Sequence, residues 1–218
     1  MARKTKEDAE QTYAALLDAA EQVFFDKGVA QTTLNDIAAA AGMTRGAIYW
    51  HFKDKADVLQ ALFKQAMLPM EAMLVELDMC AETDPLGALR YMCIHALSNL
   101  AHSTQQQRVF SIMFLKCENV GEVMTVMEDK LERRDECMAR VERKLRKAIE
   151  IGQLPADTDV FLSQQVLNSF MGGTMREWLL APQLFALDAA APAMVDMVMA
   201  GLRTNPPRLP SLPPPPAG

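Results

Sequence analysis

Residues 32–52 read TTLNDIAAAAGMTRGAIYWHF, and the spacing within this stretch decides the fold. Thr33, followed three residues later by Asp36, has the pattern of a capping box at a helix start. Leu34, Ile37, Ala38 and Ala41 recur at helical spacing and give that short helix one apolar face. Gly42 ends it, because a tight turn through Gly42 and Met43 needs a residue that tolerates positive φ. Thr44 then caps a second short helix that reaches about His51. Ile48 and Phe52 lie four residues apart and share its core-facing side. Arg45, Gly46, Tyr49 and Trp50 fall largely outside that side. Two short helices joined by a glycine turn predict a helix-turn-helix.

Working outward, helical periodicity recurs throughout and no stretch alternates with a period of two. Upstream, Tyr13, Leu16, Leu17, Ala20 and Phe24 make one apolar stripe on a helix predicted over 7–27, stopped at Gly28. Downstream, Asp54 caps a fourth helix, with Asp57 at its N3 position, running from Lys55 towards Cys80. Pro69 removes a backbone bond inside it, so a kink or break is expected near Leu68. Asp84 and Pro85 open a fifth helix, with proline at N1, and a sixth covers roughly 105–117. The seventh, 121–151, carries the stripe Met124, Met127, Leu131, Met138, Val141, Leu145 and Ala148, and Gly152 and Pro155 close it. The eighth and ninth are expected over 159–180 and 188–203.

The fold class is therefore all-α with about nine helices: an N-terminal three-helix helix-turn-helix domain and a larger helical domain. The expected division is a basic arm at 1–9, a DNA-binding domain at 10–70, a second domain at 71–203 and a tail at 204–218. The tail sequence NPPRLPSLPPPPAG has too few backbone donors to fold and is expected to be disordered.

Half of the residues are hydrophobic, enough for a sizeable core. No run reaches the roughly 18 uncharged apolar residues of a bilayer span, and the opening MARKTKEDAEQ lacks the apolar segment of a signal peptide. A cytoplasmic protein without a membrane partner is expected. Net charge is −6, which taken globally works against nucleic acid, but a DNA binder needs only local positive charge. Arg3, Lys4 and Lys6 open the chain, and Arg45, His51, Lys53 and Lys55 cluster. Cys80, Cys93, Cys117 and Cys137 form no CxxC pair and have no histidine at ligand spacing, so they read as small buried hydrophobes and not as a metal site. With three histidines, no Ser/His/Asp set and no phosphate loop, neither an enzyme nor a cofactor is expected.

A helix that turns tyrosine and tryptophan outward beside arginine and glycine has a partner surface, and for a helix-turn-helix that surface is the major groove. Arg45 near the helix start has the reach for a bidentate guanine contact. Gly46 lets the backbone approach the bases. Tyr49 and Trp50 offer one hydroxyl, one N–H and apolar faces for phosphate or a thymine methyl. Thr33 and Thr44 sit at helix starts, where hydroxyls and backbone N–H groups favour phosphate, and Lys53 and Lys55 add cations.

The stretch GVAQTTLNDIAAAAGMTRGAIYWHFKDKADVLQAL, residues 28–62, resembles the N-terminal domain of the TetR family of repressors. Its TRGAIYWHFKDK core, with MARKTKEDAEQT at the chain start, is similar to the AcrR/TtgR-like branch controlling multidrug efflux. The likeness continues more weakly through LKCE at 115–118, GQLPAD at 152–157 and REWLLAPQLFALD at 176–188. It implies an all-α homodimer on a palindromic operator. It also places Thr33, Thr44, Arg45, Gly46, Tyr49, Trp50, His51 and Lys55 on the DNA side.

The second region is rich in methionine, whose adaptable side chain suits a poorly selective apolar cavity. Candidate walls are Phe63, Met67, Met70, Met92, Phe110, Met113, Phe114, Cys117, Met138, Val141, Asn168, Met171 and Met175, with Asn168, His95 and Glu118 as polar anchors. Related efflux repressors carry polar side chains on the sixth and eighth helices. Here Phe110, Phe114 and the pair Gly172 and Gly173 stand there, so a more apolar pocket is expected. The eighth helix (Phe161, Val166, Phe170, Met171, Met175, Trp178, Leu179) and the ninth (Met194, Val195, Val198, Met199, Leu202) carry surplus apolar surface, and two from each subunit would form a four-helix bundle. The expected function is a DNA-binding transcriptional repressor of an efflux operon, induced by a hydrophobic small molecule. The alternative is a regulator of a lipid or other metabolic operon with a different apolar ligand.

Overall fold

The two short helices form where their caps place them. α2 (Leu34–Ala40) starts at Thr33, whose hydroxyl accepts from the Asp36 N–H (3.1 Å) while the Asp36 carboxylate accepts from the Thr33 N–H (2.8 Å), completing the capping box. α3 (Arg45–His51) starts at Thr44, which accepts from the Ala47 N–H at 3.3 Å. Between them Gly42 takes φ +66°, and the Met43 N–H donates back to the Ala38 carbonyl at 2.8 Å. α1 (Lys6–Lys27) ends the same way, at Gly28 with φ +81°.

The computed structural model describes residues 6–80, 82–117 and 138–209, with the backbone alone for 68–80. Among the described residues there are nine α-helices and no strand. α4 is Lys55–Cys80, α5 Pro85–His102, α6 Thr104–Ser111, α7 residues 138–150, α8 Val160–Leu180 and α9 Leu187–Thr204. The described chain divides into two compact units, one of residues 6–72 and 99–117, the other of 73–80, 82–98 and 138–209.

In the first unit, α1, α2 and α3 close on the start of α4. Leu16, Phe24, Ile37, Ile48 and Val58 are fully buried, with Leu59 and Phe52 almost so. Each such side chain stabilises the unit by about 1.5–3 kcal/mol. α6 belongs to this unit and packs on α1, and Ile112 just after it is fully buried in the same core. An ion pair reinforces the seam: Arg108 meets Glu21 at 3.3 Å, and burial raises the Glu21 carboxyl above its ordinary value despite that partner.

In the second unit the start of α5 is tied to the loop after α7. Asp84 caps α5, accepting from the Gly87 N–H at 2.9 Å and from the Gln153 amide at 2.8 Å, while the Gln153 carbonyl accepts from Leu86 N–H. Arg90 on α5 pairs with Asp196 on α9. Asp159 caps α8, and the buried Trp178 near its end donates to the Phe185 carbonyl at 3.2 Å, fixing the turn into α9.

Four expectations change. α4 is assigned as one helix through Pro69, so there is no break at Leu68. The predicted sixth helix widens into a π-helical turn at Ile112–Lys116, whose Lys116 carbonyl is drawn off to accept from the Val29 N–H. The tail is ordered at its start: residues 205–209 lie along 157–159, with a bridge between Thr158 and Arg208, the Asp159 N–H donating to Pro207, and the Leu209 N–H to Asp157. Arg208 also pairs with the Asp157 carboxylate. Proline removes donors but leaves carbonyls, and these accept. Finally, Met175, Trp178, Val195, Met199 and Leu202, read as surplus surface, are buried within the subunit. The exposed apolar residues of α8 and α9 are Phe161, Leu162, Val166, Leu180 and Met197. Met124, Met127, Leu131, Glu118, Cys137 and the Arg3–Lys4 arm lie outside the described residues, as do the side chains of Cys80 and Met70.

Candidate nucleic-acid interface

α3 is divided by its core contacts. Ile48 is wholly buried and Phe52, its C-cap, nearly so. The other side stays in water: Trp50 is 73% exposed and Tyr49 48%. The Arg45 guanidinium lies over the Tyr49 ring, 5.2 Å from its centre, a cation–π contact that extends the arginine along the outer face. His51 is half-buried, its ring 5.6 Å from Tyr13 and 4.5 Å from Trp50, so it braces the indole from behind.

Gly46 is the informative position. A Cβ built there meets only the Thr44 hydroxyl, at 3.9 Å, and its φ is not positive. Nothing inside the fold requires glycine. A missing side chain in the first turn of an exposed helix suits close approach by something outside the chain.

The other DNA-side residues are placed as follows. Thr44 is exposed at the cap of α3. Thr33 is exposed, but its hydroxyl is engaged in the capping box with Asp36. Lys55 donates to the carbonyls of Val29 (3.1 Å) and Ala30 (3.3 Å), so it first stitches the loop after α1 to the start of α4. Sequence spacing carries no signal for that contact, because its partners lie some twenty-five residues upstream. Lys53 is exposed.

The ligand candidates divide between the two units. Phe63, Met67, Met70, Phe110, Met113, Phe114 and Cys117 lie in the first, and Met92, His95, Met138, Val141, Asn168, Met171 and Met175 in the second. In the first, Phe110 is a hub: its ring is 6.0 Å from Phe63, edge to face, and 5.8 Å from Phe114, stacked. In the second, His95 stacks on Tyr91 at 5.7 Å, Val141 and Met175 are buried, and Asn168 stands on the exposed side of α8. Gln106, which spacing does not single out, is a buried polar residue of α6 whose amide nitrogen donates to the Ala66 carbonyl on α4 at 3.1 Å, and the Gln65 Oε1 atom is buried as well. Among the described residues no group of histidine, cysteine or carboxylate side chains is arranged to hold a metal, and no helix is long and apolar enough to cross a membrane.

A capped helix-turn-helix whose second helix turns arginine and two aromatic rings outward, built into an all-helical chain, defines a DNA-binding regulator. Residues 16–62 match the profile of bacterial regulatory proteins of the tetR family, and 84–204 match that of the C-terminal region of MAATS-type transcriptional repressors. The chain is 37% identical to the HTH-type transcriptional regulator AcrR of Shigella flexneri, over 91% of this chain and 93% of that one. Among solved structures it is similar to NalD, the secondary repressor of the MexAB-OprM multidrug efflux pump in Pseudomonas aeruginosa (TM-score 0.83, 31% identity, 92% of this chain and 100% of that one). It is also similar to the SmeT–triclosan complex, SmeT being the repressor of the Stenotrophomonas maltophilia efflux pump SmeDEF (TM-score 0.75, 32% identity, 95% and 99%). The chain belongs to the TetR family of transcriptional regulators.

Proposed function

We propose that this protein represses a multidrug efflux operon from the cytoplasm, binding a palindromic operator as a homodimer and leaving it when a hydrophobic small molecule binds. The observation that carries the reading is the outer face of α3, with Arg45, Gly46, Tyr49 and Trp50 exposed and nothing inside the fold requiring glycine at 46. The full-length likeness to efflux-pump repressors supports the choice of operon.

The DNA-side set is Thr33, Thr44, Arg45, Gly46, Tyr49, Trp50, His51 and Lys55. Arg45 reads a base edge, Thr44 at the α3 start meets phosphate, and His51 and Lys55 hold the surface in place. The ring cluster of Phe63, Phe110 and Phe114 within the first unit supports the apolar-sensor reading. Dimerisation uses α8 and α9, where Leu162, Val166, Ser169, Gly173 and Leu180 recur on one exposed face of α8. The inducer acts by linkage: it weakens DNA binding only by binding the DNA-incompetent dimer more tightly. Two recognition helices must stand about 34–36 Å apart to meet successive major grooves. The chain passes from the first unit to the second within α4, so a shift of α4 on ligand binding would change that spacing.

The test is a titration of the purified protein on DNA from upstream of its own gene, against random DNA, across a salt series. Tight binding to a palindrome, with log affinity falling linearly in log salt and relieved by hydrophobic drugs, is expected. Affinity no better than for random DNA would sink the operator reading.

A further inference from the structure

α1 sends one side chain to the last turn of α3. Tyr13 heads the apolar stripe of α1, but Leu16, Leu17, Ala20 and Phe24 behind it are buried, whereas Tyr13 is 37% exposed. Its ring is stacked on Phe52 with centres 5.2 Å apart, and tilted at 57° to His51 at 5.6 Å. Phe52 is buried, and its N–H donates to the Ile48 carbonyl at 2.9 Å. Any large apolar side chain would cover Phe52. What a ring adds is a face for the imidazole.

His51 passes that contact on. Neighbouring residues of a helix point to different sides and do not ordinarily face each other. The Trp50 and His51 rings nevertheless meet edge to face, 4.5 Å apart at 89°. The imidazole is therefore turned towards the indole, with Tyr13 and Phe52 (6.2 Å) packed against it. Tyr13, His51 and Trp50 thus run in series from α1 to the outer face of α3. On that face Arg45 and Tyr49 hold each other by their cation–π contact, while Trp50, at 73% exposed, is held by His51. An exposed side chain that must be ordered at the moment of binding lowers affinity, and one ordered beforehand does not.

We propose that Tyr13 is a positioning residue for DNA recognition: through His51 it fixes the Trp50 indole on the outer face of α3, and so contributes to operator discrimination without touching DNA itself. This rests on the DNA-binding reading above and extends it to a residue outside the helix-turn-helix.

The experiment compares the full-length parent protein, Tyr13→Leu and Tyr13→Phe on the operator and on random DNA across a salt series. It also follows the time-resolved fluorescence anisotropy of Trp50, whose emission iodide separates from that of the buried Trp178. Tyr13→Leu should melt cooperatively and bind the operator about two- to tenfold more weakly per half-site, the effect of one side chain left to be ordered on binding. It should keep the parent's salt slope, because no phosphate contact is lost. Random DNA should be bound as by the parent, and the indole should move faster on the nanosecond scale. Tyr13→Phe keeps the ring and should match the parent in every readout. In a His51→Leu background Tyr13→Leu should have no further effect, since the series of rings is already cut. If Tyr13→Leu does not fold, Tyr13→Met carries the same expectations. Parental operator affinity or unchanged indole motion in Tyr13→Leu overturns the inference and leaves the DNA-binding reading standing. A loss in Tyr13→Phe with a shallower salt slope overturns it too, by making the tyrosine hydroxyl a phosphate contact. If the parent protein itself does not distinguish operator from random DNA, the operator reading fails and this inference with it.

Discussion

Arg45 and Gly46 stand side by side at the start of α3, and they separate what the fold needs from what DNA needs. Arg45 is exposed, and its contact within the chain is the Tyr49 ring. Arg45→Ala should leave the melting temperature nearly unchanged, cost about 1–3 kcal/mol in operator affinity and relax specificity at one base position per half-site. Competition titrations with operators mutated base by base measure this, and an equal loss on every sequence would demote Arg45 to a phosphate contact. Gly46→Ala should move two quantities in opposite directions. A methyl group fits the fold and raises helix stability by up to about 0.5–1 kcal/mol, while operator affinity drops because the backbone is held away from the bases. A melt and a titration on the same sample decide it, and unchanged affinity would remove the close-approach role.

At the scale of the element, α2 owes its start to a charge. The Asp36 carboxyl is lowered to about 2, chiefly by the hydrogen bond from the Thr33 hydroxyl, then by the Thr33 backbone N–H and by Lys27. A carboxylate depressed in the folded state contributes stability that is fully present above its ordinary value of 3.8, and the contribution is lost as pH falls towards 2. Melting curves of the parent protein and Asp36→Ala should therefore differ most above about pH 5 and converge between about pH 4 and 2. A gap that stays constant across that range would show that the cap does not depend on charge. α6 and its π-helical turn make a second element-scale point. Ile112, Arg108 and the Lys116 carbonyl fasten this segment to α1 and to the loop that precedes α2, so whatever moves α6 bears on the helix-turn-helix.

At the scale of the whole molecule, the exposed apolar face of α8 is what asks for a second copy. Gly173 lies on that face, and a Cβ there meets nothing within 4 Å in the subunit. A glycine in mid-helix costs about 1 kcal/mol against alanine, a cost that close packing by a partner offsets. Gly173→Glu is expected to give a helical monomer in light scattering, with operator affinity reduced to that of a single half-site. A variant that remains dimeric would move the interface elsewhere.

The helix-turn-helix was readable from local chemistry. Thr33 to Asp36, Gly42 and Thr44 act through contacts three or four residues long, and Ile48 and Phe52 follow the helical period, so spacing alone identifies the caps, the turn and the outward face of α3. The resemblance carried by residues 28–62 pointed to the family that the comparisons establish. Tertiary structure decided what depends on contacts distant in the chain. Trp178 and Met199 are equally apolar whether they meet a partner subunit or their own, and only the packing of α8 and α9 shows them buried at home while Leu162 and Val166 stay outside. Lys55 looks like a phosphate contact until the carbonyls of Val29 and Ala30 are seen beside it. Gln106 is one polar letter in a polar run until its amide nitrogen is found on α4, leaving its oxygen unmet. Local hydrogen bonds and periodicity are written in the order of residues, whereas burial and pairing across the fold depend on which surfaces meet.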